Sequence, residues 1–346
     1  MPSILKGGQF ELVDVTDELN FIPAIRTITD EMGLFEPENL QTSTVQLEKS
    51  EQTVKAFVDV KRGLKGQSVN RDNREIYSFV VPHFPVVDQI TPEDVAGRTR
   101  PGSKGREFDT VTLATMRVME KIRRGFTLTM EKARMHTLIT GTAYSPGGTI
   151  VDDFNAKFGH TRQTVNFDFA NVGANIIESC NEVVQGFNGE LQEGEVLSKV
   201  IAFCSPSFFS KLIKHPQVNQ TYLYQNFQQN VNILHDRPGG LGINRRFTFE
   251  NIEFIEIGYT LGGSADLPAG ECIFIGSQAM NADGSGGTFK TYFSPANKLD
   301  HVNTIAMPMY GWTYTDPKGS YIEIEAESNF LNVINRPSLI INGTST

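Results

Sequence analysis

The stretch Asp283-Gly-Ser-Gly-Gly287 is the first place in this chain to look for covalent chemistry, because a serine set between glycines is one way hydrolases expose a nucleophile. The spacing argues against it. The Gly-x-Ser-x-Gly turn that lifts a serine off a strand is not met, and Asp and Gly stand in the reverse of the serine protease order. A surface turn is the simpler reading. The six histidines, His83, His136, His160, His215, His235 and His301, never fall within five residues of one another and form no His-Glu-x-x-His pair, so no metal-bound water is indicated. Cys180, Cys204 and Cys272 are separated by 24 and 68 residues, which matches no short metal-ligand motif; they read as buried, reduced thiols. No phosphate loop and no dinucleotide-binding glycine turn occurs. The expectation is a chain without catalytic residues, cofactor or metal.

Two charged sets remain. Glu323, Glu325 and Glu327 alternate with Ile322, Ile324 and Ala326, which describes a strand with one apolar and one anionic, solvated face better than a general acid/base pair. Lys61, Arg62, Lys65, Arg71 and Arg74 make the segment 61–74 basic within an acidic chain. Such a set serves as a solvated tip, a modest phosphate patch or a contact to another protein.

The elements that would carry these residues follow from periodicity. Residues 1–40 mix short apolar pieces with Pro23, Gly33 and Pro37 and read as an arm with little core of its own. Val54, Ala56, Val58 and Val60 alternate with polar neighbours, and a β-rich run from Ile76 to Val87 is the expected partner. Together they predict a long hairpin with the basic segment at its tip. From Asp109 to Thr140, apolar positions including Met119, Ile122, Phe126 and Met130 recur at three- and four-residue steps, which predicts one long helix capped by Asp109, ended by Gly141 and kinked near Gly125. A helix over Phe169–Gly186, a strand over Val196–Phe203, a short helix over Ser207–Lys214 and strands at Ile252–Ile257 and Glu271–Ile275 complete a mixed lobe.

Composition sets the outer limits. With 39% hydrophobic and 21% charged residues over 346 positions, a sizeable core is feasible only as one elaborate or two modest domains. A net charge of -9 argues against a protein that holds nucleic acid by neutralising phosphates, which needs a clustered Lys/Arg surface, although an acidic chain can still enclose DNA without gripping it. No run is long and apolar enough to span a membrane, and the first residues lack a secretory core, so synthesis and use in cytoplasm are expected.

The order of arm, long hairpin, long helix, mixed lobe and closing strands resembles the major head protein of lambda-type tailed phages over essentially the whole chain. Local wording carries the likeness further: the helix exit Leu138-Ile-Thr-Gly-Thr-Ala-Tyr-Ser-Pro-Gly-Gly-Thr-Ile-Val-Asp153, the strand and helix Val200-Ile-Ala-Phe-Cys-Ser-Pro-Ser-Phe-Phe-Ser-Lys-Leu212, Pro268-Ala-Gly-Glu-Cys-Ile-Phe-Ile-Gly276, and Tyr310-Gly-Trp-Thr-Tyr-Thr-Asp-Pro-Lys-Gly319. The resemblance implies an α+β chain with the tailed-phage and herpesvirus major capsid protein fold. That fold would divide into an N-terminal arm (1–40), an extended loop (41–90), a peripheral domain (91–170, spine helix 109–140), an axial domain (171–299) and a return to the peripheral domain (300–346). It implies self-association into hexamers and pentamers of a virion shell that encloses DNA without reading its sequence, with scaffold, portal and possible decoration proteins as partners and no cofactor. It favours the protein-contact reading of Lys61, Arg62, Lys65, Arg71 and Arg74. The rivals are a phage tail-tube or baseplate protein, which the long helix disfavours, and a small-molecule enzyme, which the residues do not support.

Overall fold

The computed structural model describes residues 12–22, 27–50, 74–96, 110–148, 152–171, 173–191, 195–219, 245–257, 267–280 and 287–345. The N-terminal part supplies β1 (Leu12–Asp14), α1 (Thr16–Phe21), α2 (Ile28–Glu31), β2 (Glu36–Asn39), β3 (Thr44–Ser50), β4 (Arg74–Val80), β5 (His83–Ile90) and α3 (Pro92–Val95). The long helix α4 (Val111–Thr140) leads to α5 (Phe154–Lys157), β6 (Thr164–Asn166) and α6 (Ile176–Glu190). Next come β7 (Val196–Cys204), α7 (Pro206–Lys214), β8 (Arg246–Phe249), β9 (Ile252–Glu256) and β10 (Glu271–Met280). The chain closes with β11 (Phe289–Phe293), β12 (Tyr310–Thr315), β13 (Ile322–Ile334) and β14 (Ile340–Thr344).

The strands form three sheets. One runs β1-β12-β13-β11-β2, with β5 also paired to β13; the second runs β6-β14-β10-β7-β9-β8; the third is the β3-β4 ribbon. The second sheet is buried on both faces, which is why its strands read as near-continuous apolar runs. Ile201 and Phe203 of β7 and Ile273 and Ile275 of β10 enter the main core. Their alternates Val200, Ala202, Cys204, Cys272 and Phe274 enter a second core under α6 and α7.

α4 forms where periodicity places it, with Met119, Ile122 and Phe126 packed on β5 and β13 through Ile90, Ile324 and Ala326. Its N-cap is Thr110, whose hydroxyl accepts from Leu113 N at 3.3 Å; Asp109, the expected cap, lies outside the described residues. The helix continues through Gly125 as one element, and Thr127 and Thr129 turn their hydroxyls back onto the carbonyls of Arg123 and Gly125 at 3.0 and 2.8 Å, a contact that tends to bend a helix without breaking it.

Three other expectations are revised and one falls outside the described residues. Ile76–Val87 is not one strand: the chain passes through Val81-Pro82, and β4 pairs with β3 whereas β5 pairs with β13. The expected strand Val54–Val60 lies outside the described residues. The helix expected from Phe169 begins only at Ile176, since Phe167 and Phe169 are drawn as separate anchors onto the Phe208 ring at 5.5 and 5.0 Å. Within residues 1–40, Ile28, Met32, Leu34 and Phe35 belong to the main core and β2 pairs in parallel with β11, so this part has packing that its short apolar pieces did not reveal.

Candidate functional site

The β3-β4 ribbon is two-faced. Inward, Val45 and Phe79 enter the main core, Tyr77 lies 5.1 Å from the Phe158 ring, and the Lys157 ammonium sits 4.3 Å from the centroid of Phe79 while pairing with Asp152 at 2.5 Å. Outward, Ile76 is 70% exposed and Val80 more than half exposed. A strand with an apolar face in water is a surface that wants a partner. Its last described rung pairs Ser50 with Arg74. Of the expected contact residues, Arg74 opens β4, and Lys61, Arg62, Lys65 and Arg71 lie outside the described residues.

A second bare apolar patch follows β11. Leu299 is 92% exposed, and Val302, Ile305 and Met307 along the same loop are also exposed. Its base is rigid. The His301 ring stands edge-on to Tyr310 and Trp312 at 5.0 and 5.7 Å, and Lys298 lies 5.0 Å over Trp312 while bonding Glu325 at 2.5 Å. Ordered support beneath exposed apolar side chains is how an interface loop is held ready. The loop gives little signal in the sequence, although Leu299, Val302 and Ile305 stand apolar among polar neighbours.

The glutamate row on β13 is only partly the solvated face expected of it. Glu323 and Glu325 are half-buried, and Glu327 is buried, accepting from Asn297 N at 2.6 Å and facing His83 at 3.8 Å. The reason is that β13 has strands on both sides, β12 and β5, so its carboxylates meet side chains of neighbouring elements before they meet water.

A buried polar knot fixes the N-terminal segment to α4. Glu131, 3% exposed, accepts from the Thr29 amide at 3.3 Å and from the Thr29 hydroxyl. Arg134, one turn on, donates to Asp30 and, at 3.2 Å, to Thr29. Burial pushes the Glu131 carboxyl above its usual range, against the opposing pull of hydrogen bonds from Thr29 and Thr27 and the Arg134 charge. A raised folded-state value means that ionisation costs stability: the stabilising share of Glu131 is whole below the unfolded value and lost as pH rises through the folded one. Glu131→Gln keeps an acceptor for Thr29 and removes the titration. Urea midpoints of the unassembled subunit should therefore show wild type losing ground to Glu131→Gln from about pH 4.3 upward; parallel curves would mean that folding leaves this carboxyl's affinity for a proton unchanged.

Among the described residues no catalytic set assembles. Among the described residues no group of three or more His, Cys, Asp or Glu side chains could hold a metal, and no helix is long and apolar enough to cross a membrane. The three cysteines, distant in sequence, converge in the second core, where Cys204 and Cys272 face each other across β7 and β10. Burial pushes Cys180 up to about 12 and Cys272 well up too, so these thiols are protonated and inert. A cavity of about 500 Å³ between α3, the start of α4 and β13 is lined by Ile90, Pro92, Val95, Val111, Tyr321 and Ile322, and its described lining has no charged side chain. The serine of the glycine cluster, Ser285, lies outside the described residues.

The described surfaces offer places for contact, and comparison with known proteins shows which family the chain falls in. The model of the family described as phage major capsid protein E matches residues 11–345. The major capsid protein of Pseudomonas phage KPP10 is 37% identical, over 97% of this chain and 97% of its own length. That of Salmonella phage Felix O1 is 26% identical over 96% of each. A solved structure from Microbacterium phage Oxtober96, 10% identical, superposes with a TM-score of 0.50 over 94% of this chain and 93% of that one. With its mixed sheets and helices, long helix and two-stranded ribbon, this chain belongs to the phage major capsid protein E family and is a structural component of the virion's capsid shell.

Proposed function

We propose that this chain builds a closed icosahedral head from hexamers and pentamers of itself, encloses DNA without reading its sequence, and does no chemistry. The observation that carries this reading is the ribbon's double character: Val45 and Phe79 fasten its base to the subunit's own core, while Ile76 and Val80 present apolar area to solvent. A two-stranded ribbon is marginal alone in water, so its outward face gains most by lying on a neighbour. The tip residues Lys61, Arg62, Lys65, Arg71 and Arg74 would then set register on that neighbour by charge. The loop carrying Leu299, Val302 and Ile305 is a second contact.

In this reading residues 1–40 are an arm, 41–90 the extended loop, and α4 the spine of a peripheral domain built on the β12-β13 sheet. The sheet containing β7 and β10 is the heart of the axial domain, with β14 reaching into it from the C-terminal return. Assembly takes place in host cytoplasm with a scaffold and a portal, and a decoration protein is a further candidate. Electron micrographs of the purified, assembled protein should show hollow shells. Tubes would favour the tail-tube or baseplate alternative, and a stable 38.4 kDa monomer at low and high salt would defeat both.

A further inference from the structure

The exposed face of α4 carries a row of cations. Arg117, Lys121, Arg124 and Lys132 are all exposed, and their spacing of four, three and eight residues stacks them along one side of the helix, over about 22 Å at 1.5 Å per residue. The chain as a whole carries a net charge of -9, so this row is a local exception to its charge balance. Glu120 is the exposed acid beside it on the helix, and α1, which packs on α4, adds Asp17 and Glu18.

Gly125 lies on the same exposed side, between Arg124 and Lys132. Glycine in a helix interior is unfavourable relative to alanine. Among the described residues nothing asks for it: a Cβ built there meets no atom within 4 Å, and the backbone is ordinary helix. A residue that weakens the helix, with no described neighbour that needs the space, leaves a notch on this face.

We infer that this face of α4 is a docking strip for the phosphate backbone of duplex DNA, and that it is therefore the face turned toward the interior of the shell. The cations neutralise phosphates, and the notch at Gly125 lets the backbone approach the helix closely. This deepens the reading of a DNA-enclosing shell and rests on it. Contacts of this kind position DNA without reading sequence. Each subunit holds weakly, and repetition over a shell multiplies the effect. The general acidity then keeps the rest of the inner surface repulsive, so the packaged duplex is tethered at strips and mobile between them.

The test uses unassembled full-length subunits and a 30-base-pair duplex of arbitrary sequence, with binding followed by fluorescence anisotropy from 50 to 200 mM salt. Lys121→Gln with Arg124→Gln and Lys132→Gln removes three phosphate contacts. Over that salt range wild-type affinity should fall about 40-fold more than that of the triple variant. A control triple elsewhere, Lys199→Gln with Lys214→Gln and Lys318→Gln, loses the same charge and should keep the wild-type salt dependence. Gly125→Ala should raise the urea midpoint and yet weaken DNA binding. Equal losses in the two triples would show that net charge, not the strip, sets the affinity, and overturn the inference. So would a Gly125→Ala subunit that binds DNA like wild type, or a strip variant that keeps its DNA affinity but no longer forms shells, which would assign this face to another copy of the chain. Shell formation itself is read from micrographs, so a wrong assembly reading and a wrong DNA strip give different results.

Discussion

Subunits in which residues 51–73 are replaced by Asn-Gly should fold normally and fail to assemble. The pairing of Ser50 with Arg74 makes the shortened ribbon feasible, because these residues already face each other and a two-residue Asn-Gly turn closes such a pair with the correct twist. Val45, Tyr77 and Phe79 stay in place on the main core and on Phe158, so secondary structure and the melting transition should match wild type. What goes is the part of the chain with Lys61, Arg62, Lys65 and Arg71. Sedimentation should then show only small species, a loss of assembly rather than a shift in it. The milder Arg71→Glu with Arg74→Glu should slow assembly, and slow it less at high salt, since exposed charges mainly steer encounter and salt screens that steering. A shortened chain that unfolds would place the segment in the subunit's own core. One that still builds normal shells would dissociate this ribbon from assembly.

Much of the architecture could be read from periodicity. The long helix is legible because one stripe of it, Met119, Ile122 and Phe126, faces a single core. Its second half is less so, since Glu131, Arg134 and Thr137 are buried there and break the apolar pattern. Three strands of the second sheet, β7, β9 and β10, are legible from their apolar runs, whereas β6, β8 and β14 are not, and the pairing of β7 with β10 and β9, and of β10 with β14, depends on contacts across long separations that no local pattern encodes. Val81-Pro82 shows the limit well: the apolar run continues through it, while the chain leaves one sheet for another.

The candidate surfaces were legible in a different proportion. A basic segment in an acidic chain stands out by composition alone, and that is how the ribbon tip shows itself. The loop of Leu299, Val302 and Ile305 does not stand out, because scattered apolar residues look alike whether they are buried or bare; Ile28 and Met32, in an equally broken pattern, turn out to be core. The knot of Glu131 and Arg134 was likewise hidden, since its other half, Thr29 and Asp30, lies about a hundred residues earlier.

Gly141→Ala should be among the most damaging single substitutions, at about 3 kcal/mol, from two separable causes. Gly141 ends α4 at φ 76° and ψ 16°, with its amide bonded to Thr137 O at 2.9 Å and its carbonyl accepting from Phe154 N at 2.9 Å. The left-handed conformation disfavours any Cβ. A Cβ at this site would also lie 2.1 Å from Asn155 Nδ2 and 3.0 Å from Arg162 Nη2, too close for either to stay. Arg162 is not free to yield, because its Nη1 donates to Ile139 O at 2.6 Å and its guanidinium is largely buried, which lowers its value to about 10. The substitution therefore presses on the joint between α4, α5 and the strand that follows, where the chain leaves the spine for the second sheet. Asn155→Ala removes the nearer obstacle, so the double variant Gly141→Ala with Asn155→Ala should recover most of the steric part and keep the backbone part, about 1 to 2 kcal/mol, together with the milder contact to Arg162. Urea unfolding of the four proteins as unassembled subunits closes the cycle. If the double variant is as damaged as Gly141→Ala alone, the crowding lies elsewhere; if Gly141→Ala costs nothing, the helix does not end on a left-handed glycine.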